Sequence, residues 1–409
     1  MKAERGYPSA TVTPKAETAI LRGHPWIYEA EILSMEGRPE NGGLVDVRSR
    51  RGAYLGTGFL SEKSKIRVRL LSRNANDRFD AAFWERKLRW AWEYRKTVMA
   101  PGDLDACRVI FGEADMFPGL TVDKFHDLLS VQVLSVGMEN IKDLLLPLLV
   151  RILREDGQEV RGVFERNDVA LREKEGLEQY KGWFLLPGEA PPESPVTEIA
   201  ENGVKYLVDV ENGQKTGFFL DQKYNRRAVG RLAGGKTVLD CFTHTGSFAL
   251  NAALGGAKHV TAVDVSASAV EMARANAERN GLGGVVDCMA ANVFELLPDL
   301  EKEPGKYDFI ILDPPAFTKS RKTAASAMTG YKEINYRAMK LLPRGGYLAT
   351  CSCSHFAEEE RFTAMLRSAA RDAGVRLRQI EARQQSCDHP VLWGVEETNY
   401  LKFYLFQVV

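Results

Sequence analysis

VLDCFTHTGSF, residues 238–248, decides how the chain is read. Two apolar residues lead into an acid, Asp240, and then into a turn of small and hydroxyl residues closed by Gly246. An extended apolar run ending in an acid, a small-residue turn and a helix form the opening unit of a βαβ repeat. The pattern returns downstream. Residues 260–263 run into Asp264 and a helix over 267–280 ended by Gly281, residues 309–312 run into Asp313, and residues 347–350 run into Cys351 and Cys353. This repetition implies a mostly parallel, doubly wound α/β sheet that presents ligands at the carboxyl ends of its strands.

Upstream the periodicity changes. Val45 and Val47, then Ile66, Val68 and Leu70, alternate with polar residues after the turn Asn41-Gly42-Gly43, which predicts a small antiparallel sheet or barrel over 1–73. Trp84, Leu88, Ala91 and Trp92 form one helical stripe. Strands near 107–111, 128–134 and 159–165 and a helix near 139–154 predict an α+β module over 74–195, ending in the Pro-rich linker 187–195. The βαβ region then occupies 196–409.

The 409 residues carry 55 Lys plus Arg against 55 Asp plus Glu, which excludes a histone-like arm or an acidic tail. The zero total conceals a local excess, because residues 1–72 hold twelve basic against eight acidic residues. Nucleic acid therefore stays open as a partner. The first residues lack the apolar stretch of a secretory signal, and the most apolar run, 144–153, is interrupted by Pro147 and Arg151. Six scattered cysteines without a C-x-x-C pair predict reduced, mostly buried thiols in a cytoplasmic protein, and no spacing of His and Cys suggests a metal.

The strand-end loops carry the chemistry. The first turn, with Thr243, Thr245 and Gly246, lacks the G-x-G-x-x-G that cradles a pyrophosphate, so Asp240 suits a cofactor with an amino-acid moiety. Asp264 stands where a carboxylate accepts ribose hydroxyls. Asn292 could accept from an adenine amino group or be an ordinary turn residue. In Asp313-Pro314-Pro315-Ala316-Phe317 two prolines hold the loop extended, so the carboxylate faces a base edge and Phe317 can stack on an extruded ring.

VLDCFTHTGSF, VTAVD at 260–264, DPPAF at 313–317 and GGYLATCSCS at 345–354 resemble the motifs of class I S-adenosylmethionine-dependent methyltransferases. NGQKTGFFLDQKYNR, at 212–226, resembles the segment preceding the catalytic domain of ribosomal RNA methyltransferases, and RGHPWIYEAEI, at 22–32, resembles the opening of a PUA RNA-binding domain. With Asp388-His389-Pro390, the likeness to RlmI-type large-subunit ribosomal RNA cytosine-C5 methyltransferases covers nearly the whole chain. It implies a PUA β-barrel, a small α+β domain and a Rossmann-like domain with a seven-stranded, mostly parallel sheet. It implies S-adenosyl-L-methionine as cofactor, with Phe219, Phe242 and Ser266 completing the set at Asp240, Thr243, Thr245, Gly246, Asp264, Asn292 and Asp313. Ribosomal RNA is the implied partner, without membrane or metal; a homodimer stays open.

Cytosine C5 is a poor nucleophile until something adds to C6, and a thiolate suits that addition. Cys353 is preferred over Cys351, since it lies seven residues beyond Gly346 in the Ser-Cys-Ser pattern of related enzymes. No cation in the local sequence lowers its pKa, so partners must come from elsewhere in the fold. Asp313, Pro314 and Phe317 complete the catalytic set. Arg67, Arg69, Lys223, Arg226 and Lys319 are expected at RNA phosphates, with Arg227, Arg321 and Lys322 beside the last three. Two alternatives remain: methylation of another RNA atom, such as guanine N7, without an adduct, and a non-catalytic RNA-binding assembly factor.

Overall fold

The alternation over residues 44–71 becomes one face of a six-stranded sheet in the computed structural model, which describes residues 6–302, 306–318 and 323–409. Its strands lie in the order Trp26–Tyr28, Ile66–Ser72, Tyr54–Leu60, Leu44–Arg48, Ser9–Val12 and Ile32–Glu36. Val45, Val47, Val68 and Leu70 point into a core shared with Val12, Ile20, Ile27 and Leu60. The sheet is mixed, because Ser9–Val12 pairs in parallel with Leu44–Arg48. Only Ala10 and Val12 of that strand face inward, too short an alternation to stand out in the sequence.

A second sheet orders Tyr180–Phe184, Gly162–Asn167, Leu128–Val133, Leu120–Phe125 and Ala106–Phe111. The helices Ala81–Val98 and Val136–Glu155 bury Trp84, Leu88, Trp92, Leu145 and Leu149 in one cluster with its Val109, Ile110 and Val131. Leu120–Phe125 and Tyr180–Phe184 are additions to the sequence reading.

The βαβ region forms a seven-stranded sheet: β1 Thr237–Cys241, β2 His259–Asp264, β3 Val286–Ala290, β4 Phe309–Leu312, β5 Tyr347–Ser352, β6 Leu377–Arg383 and β7 Lys402–Val408. Their spatial order is β3-β2-β1-β4-β5-β7-β6. The first five are parallel, and β7 lies antiparallel between β5 and β6. Six helices accompany the sheet: α1 Lys223–Leu232, α2 Ser247–Leu254, α3 Ala267–Arg279, α4 Val293–Leu300, α5 Ala324–Leu341 and α6 Glu359–Ala373. The central parallel strands β1, β4 and β5 are buried nearly throughout, as strands covered on both faces must be.

The chain divides into two compact units. One takes residues up to 199 with 207–220 and 387–398; the other takes 200–206, 221–386 and 399–409. No helix among the described residues is long and apolar enough to cross a membrane.

Candidate functional site

Strand β1 delivers Asp240 to the interior, where one carboxylate oxygen, Oδ2, accepts from Thr243 Oγ1 at 2.6 Å and from the Ala249 N–H at 2.9 Å. The turn that follows alternates left-handed residues: Phe242, His244 and Gly246 have φ of 65°, 51° and 84°. Two of these are not glycine, and such a conformation costs about 1–2 kcal/mol each. The His244 N–H donates to Asp264 Oδ2 at 2.9 Å, and Thr243 N to the Val263 carbonyl at 2.8 Å, which offsets the cost and ties the turn to β2. Asp264 Oδ1 accepts from Ser266 N at 2.9 Å, and Ser266 caps α3. A Cβ at Gly246 would stand 3.1 Å from Ala273 and sit at a left-handed φ, so glycine suits this close packing against α3.

Two buried polar atoms of this turn, Asp240 Oδ1 and Thr245 Oγ1, have no hydrogen-bond partner among the described residues. An orphaned acceptor of this kind calls for an external donor. Burial, with the charges of Asp313 and Asp264 adding to it, pushes the Asp240 carboxyl up to about 7. An incoming ammonium group would serve as that donor and restore the carboxylate, so the residues present fit a cofactor bearing an amino-acid end. Asn292 caps α4, its Oδ1 accepting from Phe294 N at 3.1 Å and its amide donating to Glu295 at 3.0 Å. Phe219 belongs to the other unit, where Lys215 Nζ lies 4.7 Å from its ring centroid.

The raised Asp240 pKa has a measurable consequence. The folded chain holds this proton more tightly than the unfolded chain, so stability falls as pH rises from about 4 to 7. Asp240→Asn removes that dependence. Relative to wild type, the ligand-free variant should gain roughly 2–3 kcal/mol more at pH 8 than at pH 5. Hydrogen exchange of the 237–254 backbone at both pH values measures it; an equal effect at the two would exclude an elevated Asp240 pKa.

Strand β4 ends at Asp313, whose Oδ1 accepts from Gln222 Nε2 at 2.9 Å. Burial raises its carboxyl to about 6, with the Asp221 charge adding to the effect. Asp221 is itself buried and accepts from Tyr400 Oη at 2.7 Å. Phe317 is half-buried, 4.6 Å between centroids from Tyr331, with Phe242 and Phe294 at 6.4 and 5.8 Å. Tyr331 accepts from Ser352 Oγ at 3.1 Å, which couples this aromatic cluster to the end of β5.

The two cysteines of β5 have separate surroundings. Cys351 is fully buried near Asp313 and Gln222, and burial holds its thiol well above the usual range, with the Asp313 charge adding to it. Cys353 lies just past the strand, half-buried, its Sγ 3.9 Å from the Pro314 carbonyl. Its neighbours are pinned: Ser354 Oγ donates to the Thr318 carbonyl at 3.0 Å.

Lys402 escaped the sequence reading. It pairs opposite Ser352 across β5 and β7, and its buried ammonium donates to the carbonyls of Ser354 at 2.7 Å and Tyr400 at 2.8 Å. Burial lowers its pKa to about 8, and it attracts the Cys353 sulfur electrostatically. No carboxylate among the described residues forms an ion pair with it, so two neutral carbonyls are its hydrogen-bond partners. A buried ammonium so placed favours an anion beside it.

The expected phosphate contacts fare differently. Lys223 and Arg226 are buried; Arg226 is clamped by both carboxylate oxygens of buried Glu201 at 2.6 and 3.0 Å, so neither presents its charge to solvent. Arg67 pairs with Glu29 at 2.5 Å and Arg69 with buried Glu175 at 2.9 Å. Lys319, Arg321 and Lys322 lie outside the described residues. Asp388 and His389 are buried in the other unit, where Asp388 Oδ2 accepts from Arg108 N at 2.9 Å, an architectural duty. No cluster of metal-ligating residues occurs among the described residues.

Residues 185–407 match the model of the S-adenosylmethionine-dependent methyltransferase family, and residues 10–73 match that of a PUA-like domain. A Klebsiella pneumoniae (strain 342) protein named ribosomal RNA large subunit methyltransferase I is 37% identical over 404 residues, 98% of this chain and 99% of its own. Its namesake in Aeromonas salmonicida (strain A449) is 41% identical over 387 residues, 94% of this chain and 96% of its own. A solved methyltransferase complexed with SAH has the same fold, with a TM-score of 0.81 at 23% identity over 98% of this chain and 100% of that one.

Proposed function

Because the chain belongs to the ribosomal RNA large subunit methyltransferase I family of S-adenosylmethionine-dependent methyltransferases, we propose that it methylates C5 of a cytosine in large-subunit ribosomal RNA through a Cys353 adduct. When bound, S-adenosylmethionine supplies an electrophilic methyl group on a sulfonium. Asp240 and the turn to Gly246 would hold its amino-acid end, and Asp264 its ribose.

The position of Cys353 carries the reading: a half-buried thiol beside the Asp313 loop, with the Lys402 ammonium bonded to the next residue's carbonyl. The Cys353 thiolate adds to cytosine C6, and the displaced electron pair makes C5 nucleophilic. Asp313, with its pKa near 6, is suited to hold the N3 and N4 edge as charge develops there. After C5 takes the methyl group, loss of its proton expels the thiolate and restores the ring. Residues 1–73, which include the PUA-like match, are proposed to bind RNA, 74–195 to form a central domain and 196–409 to carry the chemistry.

RNA bearing 5-fluorocytidine tests the covalent route, because fluorine at C5 blocks the final elimination. With cofactor present, a denaturation-resistant complex containing Cys353 is expected. Methyl transfer to ordinary RNA without any trapped complex would replace this reading by direct transfer to another atom.

A further inference from the structure

On the outer face of α1, Tyr224, Arg227, Gly230 and Arg231 line a groove of about 510 Å³ with Gly255 and Arg383. Its floor is backbone: a Cβ at Gly255 would fall 2.0 Å from the Gly230 carbonyl, and one at Gly230 would fall 2.7 Å from that of Asn251. Arg227 and Arg231 are four residues apart on one helix, so they project side by side. The Arg227 guanidinium lies 5.0 Å from the Tyr224 ring centroid and donates to Asn202 at 2.9 Å. Arg231 and Arg383 share one carboxylate, Glu381, so these two cations exceed their common acid by one.

The groove is joined to the candidate site. Arg383 Nε donates to Asn225 Oδ1 at 3.0 Å, Asn225 Nδ2 to Gln222 Oε1 at 2.6 Å, and Gln222 Nε2 to Asp313 Oδ1 at 2.9 Å. Three hydrogen bonds therefore separate its rim from the carboxylate proposed to hold the base.

We propose that this arginine-lined groove binds the phosphate backbone of the single-stranded RNA that flanks the target nucleotide. Planar guanidiniums pair with phosphate oxygens in bidentate fashion, and the link from Arg383 through Asn225 and Gln222 to Asp313 lets a backbone held on α1 lead toward the carboxylate while one base turns in. The inference rests on RNA being the substrate, but not on which atom is methylated.

The test is binding of a labelled single-stranded RNA by the full chain across a salt series, without methyl transfer. Arg227→Gln/Arg231→Gln should weaken binding about tenfold and lower the salt dependence by about 1.4, or 0.7 for each lost contact. Glu381→Gln, which frees two arginines, should tighten it; a purely structural role for Glu381 predicts the opposite. Arg371→Gln, at an exposed position of α6, serves as the control. If wild type binds and the double variant binds equally well with the same salt slope, the groove proposal falls alone. Competition by inorganic phosphate at matched ionic strength would reassign the groove to a small anion and also overturn it. If wild type binds no RNA, both this inference and the RNA substrate fall.

Discussion

Cys353→Ala should abolish methyl transfer, lowering kcat/KM by at least about three orders of magnitude, or roughly 4 kcal/mol of transition-state stabilisation. Without addition at C6, cytosine C5 has no electron pair to offer, and no other side chain can replace a nucleophile bound to carbon. Cofactor affinity should stay within about twofold, because the turn from Asp240 to Gly246 and the strand end at Asp264 are untouched. Cys351→Ala is the informative partner. Cys351 is buried with its thiol held protonated, so its loss should cost no more than about tenfold, through a loosened Asp313 and Gln222. Single-turnover kinetics on substrate RNA, with cofactor binding measured by calorimetry, separates the two variants. Substantial activity in Cys353→Ala would exclude the adduct.

Lys402→Met carries the second largest expected effect. Removing a buried cation next to the nucleophile should disfavour the Cys353 thiolate, with an about 10- to 100-fold fall in kcat/KM at pH 7.5. The sign is fixed. The thiolate fraction at a given pH falls as the pKa rises, so the variant should recover much of its deficit near pH 9.5. Lys402 itself, at about 8, loses its charge as pH rises, so its support for the thiolate in wild type fades over the same range. Glu359 also acts on Lys402, while Asp313 raises the pKa of Cys351, and Tyr331 interacts with Cys353. All three stay in place in the variant. Alkylation of Cys353 by iodoacetamide against pH, followed by peptide mass spectrometry, reads the thiol directly, and Lys402→Arg should restore part of the shift. An unchanged alkylation profile would leave Lys402 with an architectural duty only.

The placement of the strand-end residues was legible in the sequence because it is local. Asp240, Asp264 and Asp313 directly follow apolar runs, Cys353 comes three residues after another, and the parallel sheet brings the ends of such runs to one edge. Lys402 was not legible, because it reaches Ser354 across an antiparallel pair from 48 residues away. Arg226 read as a surface charge for the same reason: its carboxylate partner, Glu201, lies 25 residues upstream. Asn292 shows the converse, since a side chain that caps its own helix meets a local demand that any strand-to-helix turn makes. The groove on α1 was hidden as well, because Arg383 joins it only through the fold of β6.

The two units exchange the chain repeatedly, one reclaiming residues 207–220 and 387–398 between stretches of the other. Neither is therefore a cassette that recombination could lift out whole. A gene cut at the Pro-rich stretch would strand two segments of the first unit, 207–220 and 387–398, on the other fragment, so truncation there leaves the first unit incomplete.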